Sequence, residues 1–183
     1  MDTEITDMDV LIILPPTGFI DEEVTVSIEI FNESKVSYEL ASIQSDYCRG
    51  ISGMLIKPEK SIQQISPIHY SAILVIGGQG SQDFLWKNDE TLSLLKDAYN
   101  HREIIAGINA GVGVLANAGV LDGKKATTSP SPEALETISS NGGLYVNNPV
   151  VVDENIITAQ GPSAMLDFMV EFLDLMGVEW YTT

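Results

Sequence analysis

The sequence predicts an α/β protein built on a mostly parallel, doubly wound sheet, and three observations lead to that expectation. Short apolar runs rich in valine and isoleucine recur at residues 10–14 (VLIIL), 72–76 (AILVI) and 103–108 (EIIAGI). Unbroken apolarity of this length suits strands covered on both faces, as strands of parallel sheets are. Segments of helical period lie between the runs, so strand and helix alternate along the chain. The run at 72–76 passes directly into Gly77 and Gly78, and the run at 103–108 contains Gly107 and is followed by Gly111, the punctuation expected where a strand turns sharply.

After the first strand, residues 21–34 (DEEVTVSIEIFNES) form the first helix, with Val24, Ile28 and Phe31 on one face. Its first turn carries Asp21, Glu22 and Glu23, which the helix dipole favours there. Residues 37–58 are less regular: SYELASI reads as a strand, CRGISG as a turn and MLIKP as a second short strand. The run at 72–76 follows. Residues 89–101 then make a helix with Leu92, Leu95 and Tyr99 aligned. The stretch 104–121 (IIAGINAGVGVLANAGVL) passes from strand into helix around Asn109, and VVVDENIIT at 150–158 is a β-hairpin candidate. A final helix covers 163–176, with Met165, Phe168, Met169, Phe172 and Leu173 on its apolar face. No repeat, low-complexity tract or linker breaks the chain, so a single domain over residues 1–183 is expected.

Composition narrows the classes of partner. Hydrophobic residues make up 44% of the 183, enough for a sizeable core. The apolar runs are nonetheless far short of the roughly 20 residues that span a bilayer, so no membrane partner is expected. The leading MDTEITDMD carries acids where a secretory signal carries positive charge, and the lone Cys48 can form no internal disulfide. Both features point to the cytoplasm. With 26 acidic against 9 basic residues the formal net charge is −17, a field that repels phosphate backbones and argues against nucleic acid.

Ligand sites in open parallel sheets form beyond the carboxyl ends of the strands, where loops and unpaired N–H groups gather. Three loops qualify: PPTGFIDEE, GGQGSQDF and NAGVG. The last fits G-x-Nuc-x-G as Gly107, Ile108, Asn109, Ala110 and Gly111, a tight corner whose tip is held in a strained conformation that asparagine tolerates well. An ordinary glycine-rich βα turn would look the same. Residues 111–116 (GVGVLA) also satisfy the dinucleotide fingerprint G-x-G-x-x-A, although no acid closes the following run KKATTS. GGQG supplies backbone N–H groups suited to an oxyanion, and Glu23 gains interest if it points back over the corner.

Taken together, VLIILPPTGFIDEE, AILVIGGQGS, IIAGINAGVGVLANAGVLDGKKATTSP and TAQGPSAMLDFMVEFLDLMG resemble the ThiJ/PfpI group of the class I glutamine amidotransferase-like superfamily, from Val10 to about Gly177. The resemblance implies a flavodoxin-like three-layer sandwich, usually a homodimer, and no cofactor is expected. In that family a first-helix glutamate, matched by Glu23, contacts a low-pKa cysteine at the elbow. The cysteine position matches Asn109. The histidine that several members carry after TT falls on Ser129, and the oxyanion donors would be the backbone N–H groups of Gly78 and Ala110. A carboxamide cannot be activated as a thiol can, so covalent chemistry of the family type is not expected.

No other residue stands in for the missing groups. His101 is separated from the elbow by a strand of roughly 17 Å, and His69 is also expected at the far end of the sheet. Cys48 lies in the irregular segment and is read as structural. Ser129, Ser131 and Ser163 are candidate pocket residues without a partner base, and no His/Cys/Asp spacing suggests a metal. Glu23 and Asn109 still form a chemically meaningful pair, because a desolvated carboxyl has its pKa raised in the direction useful for proton transfer. Trp86, Trp180 and Tyr145 are candidate pocket aromatics, and the tail EWYTT is a candidate cover for a hydrophobic edge or a neighbouring subunit. Three functions compete. The first is a non-catalytic protein binding a small molecule at the elbow pocket, or serving a stress or regulatory role. The second is an amidase/protease-like or glyoxalase/hydratase-like enzyme using Glu23 as acid and base. The third is a structural dimer with a filled cleft.

Overall fold

In the computed structural model, which describes residues 8–180, the chain begins with β1 (Met8–Ile13), β2 (Thr17–Phe19) and α1 (Asp21–Ser34). Next come β3 (Tyr38–Ser42), β4 (Cys48–Gly50), β5 (Leu55–Ile56), β6 (Lys60–Ser61), β7 (Tyr70–Val75), α2 (Asp89–Asn100) and β8 (Ile104–Ile108). The remainder supplies α3 (Gly111–Asn117), β9 (Lys125–Ala126), α4 (Pro132–Ser140), β10 (Leu144–Tyr145), β11 (Val150–Asp153), β12 (Ile156–Ala159) and α5 (Met165–Leu175). Seven strands form the main sheet in the order β11-β12-β8-β7-β1-β3-β6. Only β11 runs antiparallel to its neighbour, which makes it one arm of the expected hairpin.

Alternation along β1 explains why its residues are apolar without a break. Leu11 and Ile13 pack with α2, α3 and α4 on one face, while Val10 and Ile12 pack with α1 and α5 on the other. Both faces are therefore core, as the continuous run required. Phe31 of α1 meets Phe172 of α5 with ring centroids 5.7 Å apart, and Phe168 stacks on Phe172 at 6.0 Å. All five residues expected on the apolar face of the last helix are buried.

Other faces and boundaries differ from expectation. The buried side of α1 centres on Glu23, Val24, Ser27, Ile30 and Phe31, leaving Ile28 half-buried. In α2 the buried set is Thr91, Leu94, Leu95 and Ala98, with Leu92 and Tyr99 only partly covered. The segment expected to turn at CRGISG is strand β4 through Gly50, paired parallel with β2 and antiparallel with β5, and Cys48 is a fully buried strand residue. The sequence expectation also contained no α4, β9 or β10, nor the single π-helical turn at Ser81–Leu85. No helix among the described residues is long and apolar enough to cross a membrane. The last residues of EWYTT, 181–183, and the leading residues 1–7 lie outside the described residues.

Candidate functional site

Parallel strands β1, β7 and β8 carry the three loops to the same end of the sheet. The corner after β8 is an elbow. Asn109 sits at its tip with φ 52, in the left-handed region that asparagine tolerates better than most residues. Its backbone is fixed on two sides: the N–H donates to the Ala159 carbonyl at 2.9 Å, and its own carbonyl accepts the Thr128 hydroxyl at 2.8 Å. At Gly111, the first residue of α3, an added Cβ would stand 2.4 Å from the Val75 carbonyl oxygen, so the corner cannot close with a larger residue there.

The dinucleotide reading of residues 111–116 fails at the same place. Gly111 to Ala116 are all buried, and a Cβ on Gly113 would stand 2.2 Å from the Trp86 ring. Gly113 admits a packed indole, and Gly111 the close approach of the Val75 backbone, rather than a pyrophosphate. Trp86 is anchored there by an indole N–H that donates to the Ala110 carbonyl at 2.7 Å.

Glu23 reaches back from α1 to the elbow, 54 residues away in sequence from its partner. Its Oε2 accepts the Gly77 N–H at 2.7 Å, whereas Oε1 is buried with no hydrogen-bond partner among the described residues. Gly77 is the wedge between the acid and the tip: a Cβ there would lie 2.8 Å from Asn109 Cβ and 3.1 Å from Glu23 Oε2. The expected direct exchange between the carboxyl and the Asn109 amide is thus replaced by a bond to backbone. Burial pushes the Glu23 carboxyl up to about 8, against a lowering by the Gly77 N–H and with a smaller upward push from Glu22.

An open cleft of about 530 Å³ lies over this corner, lined by Gly78, Asn109, Ala110 and Ser129, four of the five expected site residues. The fifth, Glu23, lies buried behind Gly77. Neither the Gly78 nor the Ala110 N–H has a hydrogen-bond partner among the described residues. Ser131 also lines the cleft; Ser163 is exposed and does not. Of the candidate aromatics only Trp86 is in the wall, while Trp180 borders a separate groove beside the end of α5. His69 and His101 precede β7 and β8, at the opposite end of parallel strands from the elbow. Among the described residues no three His, Cys, Asp or Glu side chains gather as metal ligands would.

Six lining residues were missed from sequence: Ile20, Ile51, Gln79, Gln82, Glu133 and Ala134. Ser131-Pro132-Glu133 is a legible helix start, since Ser131 caps α4 by accepting the Ala134 N–H at 3.1 Å. Ile51 carried no such signal. It reaches the cleft on the turn between β4 and β5, which Asp21 of α1 latches by accepting the Ser52 N–H at 3.1 Å and the Met54 N–H at 2.8 Å. Asp21→Ala should release this turn. We expect faster amide exchange at Ser52 and Met54 and a stability loss of about 1–2 kcal/mol, read by hydrogen exchange and urea unfolding. Unchanged protection at both amides would contradict the latch.

The chain is similar in sequence and fold to known proteins. Uncharacterized protein MJ0967 of Methanocaldococcus jannaschii is 38% identical over 164 residues, covering 90% of this chain and 80% of that one. Deglycase TK1284 of Thermococcus kodakarensis is 24% identical over 166 residues, covering 91% and 98% respectively. The crystal structure of a ThiJ/PfpI domain protein from Brachyspira murdochii matches with a TM-score of 0.87 at 25% identity, over 92% of this chain and 96% of that one. The flavodoxin-like α/β arrangement is therefore shared. The DJ-1/PfpI family model matches residues 8–175, and the chain belongs to the DJ-1/PfpI family.

Proposed function

We propose that this protein binds a small polar, carbonyl-bearing molecule in the elbow cleft and forms no covalent bond to it. One observation carries the proposal: the tip of a fully built elbow, open to the cleft, is the carboxamide of Asn109. The amide lone pair is delocalised and is not a nucleophile near neutral pH, whereas its N–H₂ and oxygen both serve as hydrogen-bonding groups. The only cysteine, Cys48, is 0% exposed among core residues of β4, where burial pushes its thiol up and leaves it inert. The activity named for the deglycase relatives is for that reason not transferred to this chain. An open cleft of this size also speaks against a scaffold whose pocket is filled by side chains.

Incubation of the native protein with a panel of small aldehydes, amides, esters and hydroxy acids should give rates equal to buffer. Native turnover that disappears in Glu23→Gln would overturn the binding role. It would favour a second one, in which Glu23 acts as acid and base without a covalent intermediate. The buried, partnerless Oε1 and the upward-shifted carboxyl favour that alternative, because a carboxyl still protonated near neutral pH has a hydrogen to give.

A further inference from the structure

We propose that the elbow cleft selects ligands that join a carboxamide or similar carbonyl to a protonated amine, and rejects carboxylates and phosphates of the same size. The selection rests on the small-molecule reading above and gives that ligand a charge class. Among the described residues, none that lines the cleft is Lys, Arg or His. An anion entering it would lose hydration without gaining a cationic partner, a desolvation that fixed amides and hydroxyls offset poorly. Among the described residues the one charged side chain in the lining is the Glu133 carboxylate, and the chain as a whole carries −17. Local and long-range fields therefore have the same sign and both favour a cation.

The polar groups of the wall point the same way. Gln79 is held by Asp83, whose Oδ1 accepts the Gln79 amide N–H₂ at 2.9 Å. That bond occupies a donor and leaves the Gln79 carbonyl oxygen as an acceptor. The Trp86 indole N–H is already given to Ala110 and is not available to an anion. The Gly78 and Ala110 N–H groups, unpartnered among the described residues, would serve an anionic oxygen as well as the carbonyl oxygen of an amide. A second feature that opposes selection of a cation is the N-terminus of α4, whose dipole attracts anions. It is offset locally, since Ser131 takes up the Ala134 N–H and Glu133 stands in the same first turn. Asn109 and Ser129 supply uncharged groups for the carbonyl end, and Glu133, at the start of α4, is the group for the amine.

Three probes of nearly equal size separate the possibilities: glycinamide, propionamide and propionate. Each is titrated at low salt into the full-length protein near pH 6.5, where an α-amine is protonated and an exposed carboxyl is ionised. Amide-resolved NMR follows the Trp86 indole N–H and the Asn109 side-chain amide. We expect glycinamide to bind about threefold more tightly than propionamide and about tenfold more tightly than propionate. Glu133→Gln, on an exposed helix turn, should erase the advantage of glycinamide over propionamide and leave propionamide affinity unchanged. Added salt should shrink the same gap in the native protein. Propionate binding as tightly as glycinamide would overturn the selectivity while leaving the binding role in place, and so would a glycinamide advantage that survives Glu133→Gln. If no probe moves either signal at any concentration, the binding role itself falls and the selectivity with it.

Discussion

Replacing Glu23 with Gln is expected to flatten the pH dependence of stability and to raise stability at alkaline pH. In the folded protein the Glu23 carboxyl titrates at about 8 rather than at the ordinary 4.5. A raised carboxyl binds its proton more tightly folded than unfolded. Its contribution is therefore complete below the unfolded value of 4.5 and is lost as pH climbs through the folded value. Across that window the native protein should lose roughly 1.4 kcal/mol of unfolding free energy per pH unit from this group. Glu103, also buried and pushed up to about 8 by desolvation, acts in the same direction. Glutamine at position 23 keeps an oxygen for the Gly77 N–H and never ionises, so its unfolding free energy should diverge upward from that of the native protein as pH rises. Urea unfolding of both proteins near pH 5 and about pH 8 measures the effect. Two curves that stay parallel would mean that Glu23 is not held protonated by its burial. Glu23→Ala is a contrasting control: it orphans the Gly77 N–H and opens a cavity, and should destabilise at every pH by about 2–4 kcal/mol.

Asn109→Cys should convert an unreactive protein into one with a single fast thiol. The native chain presents only Cys48, which is buried in strand β4, so alkylation of the folded native protein should be slow. Position 109 is half-buried and lines the cleft, so a thiol placed there meets reagent directly. Labelling by iodoacetamide, followed by mass spectrometry, should be at least about tenfold faster than in the native protein and confined to residue 109. The left-handed backbone at the tip costs cysteine on the order of 1 kcal/mol relative to asparagine, a penalty the fold tolerates. A folded variant that labels no faster than the native protein would mean that the tip is closed to ligands.

Much of the frame was legible in local sequence. The strands at 10–14, 72–76 and 103–108 were found because both faces of a parallel sheet demand apolar residues at every position. The tip at Asn109 was marked by small neighbours at fixed spacing. Helix faces were less accurate, as Ile28, Leu92 and Tyr99 show, since a helical period identifies a stripe without saying where the sheet lies across it. Strand β4 was read as a turn because its pairing comes from β2 and β5 rather than from its own propensity. Helix α4 was legible in Ser131-Pro132-Glu133 and went unread, and Glu133 with it.

Local sequence by itself determined the alternation of strand and helix, the corner at residues 107–111 and the carboxamide at its tip, because each is encoded in side chains a few positions apart. Only the tertiary structure decided that Glu23 bonds Gly77 instead of Asn109, that Ile51 and Glu133 line the same cleft, and that Gly113 admits an indole. Those outcomes depend on which distant segments the sheet order brings together, and on the water they exclude, and neither quantity is a property of any local stretch of chain.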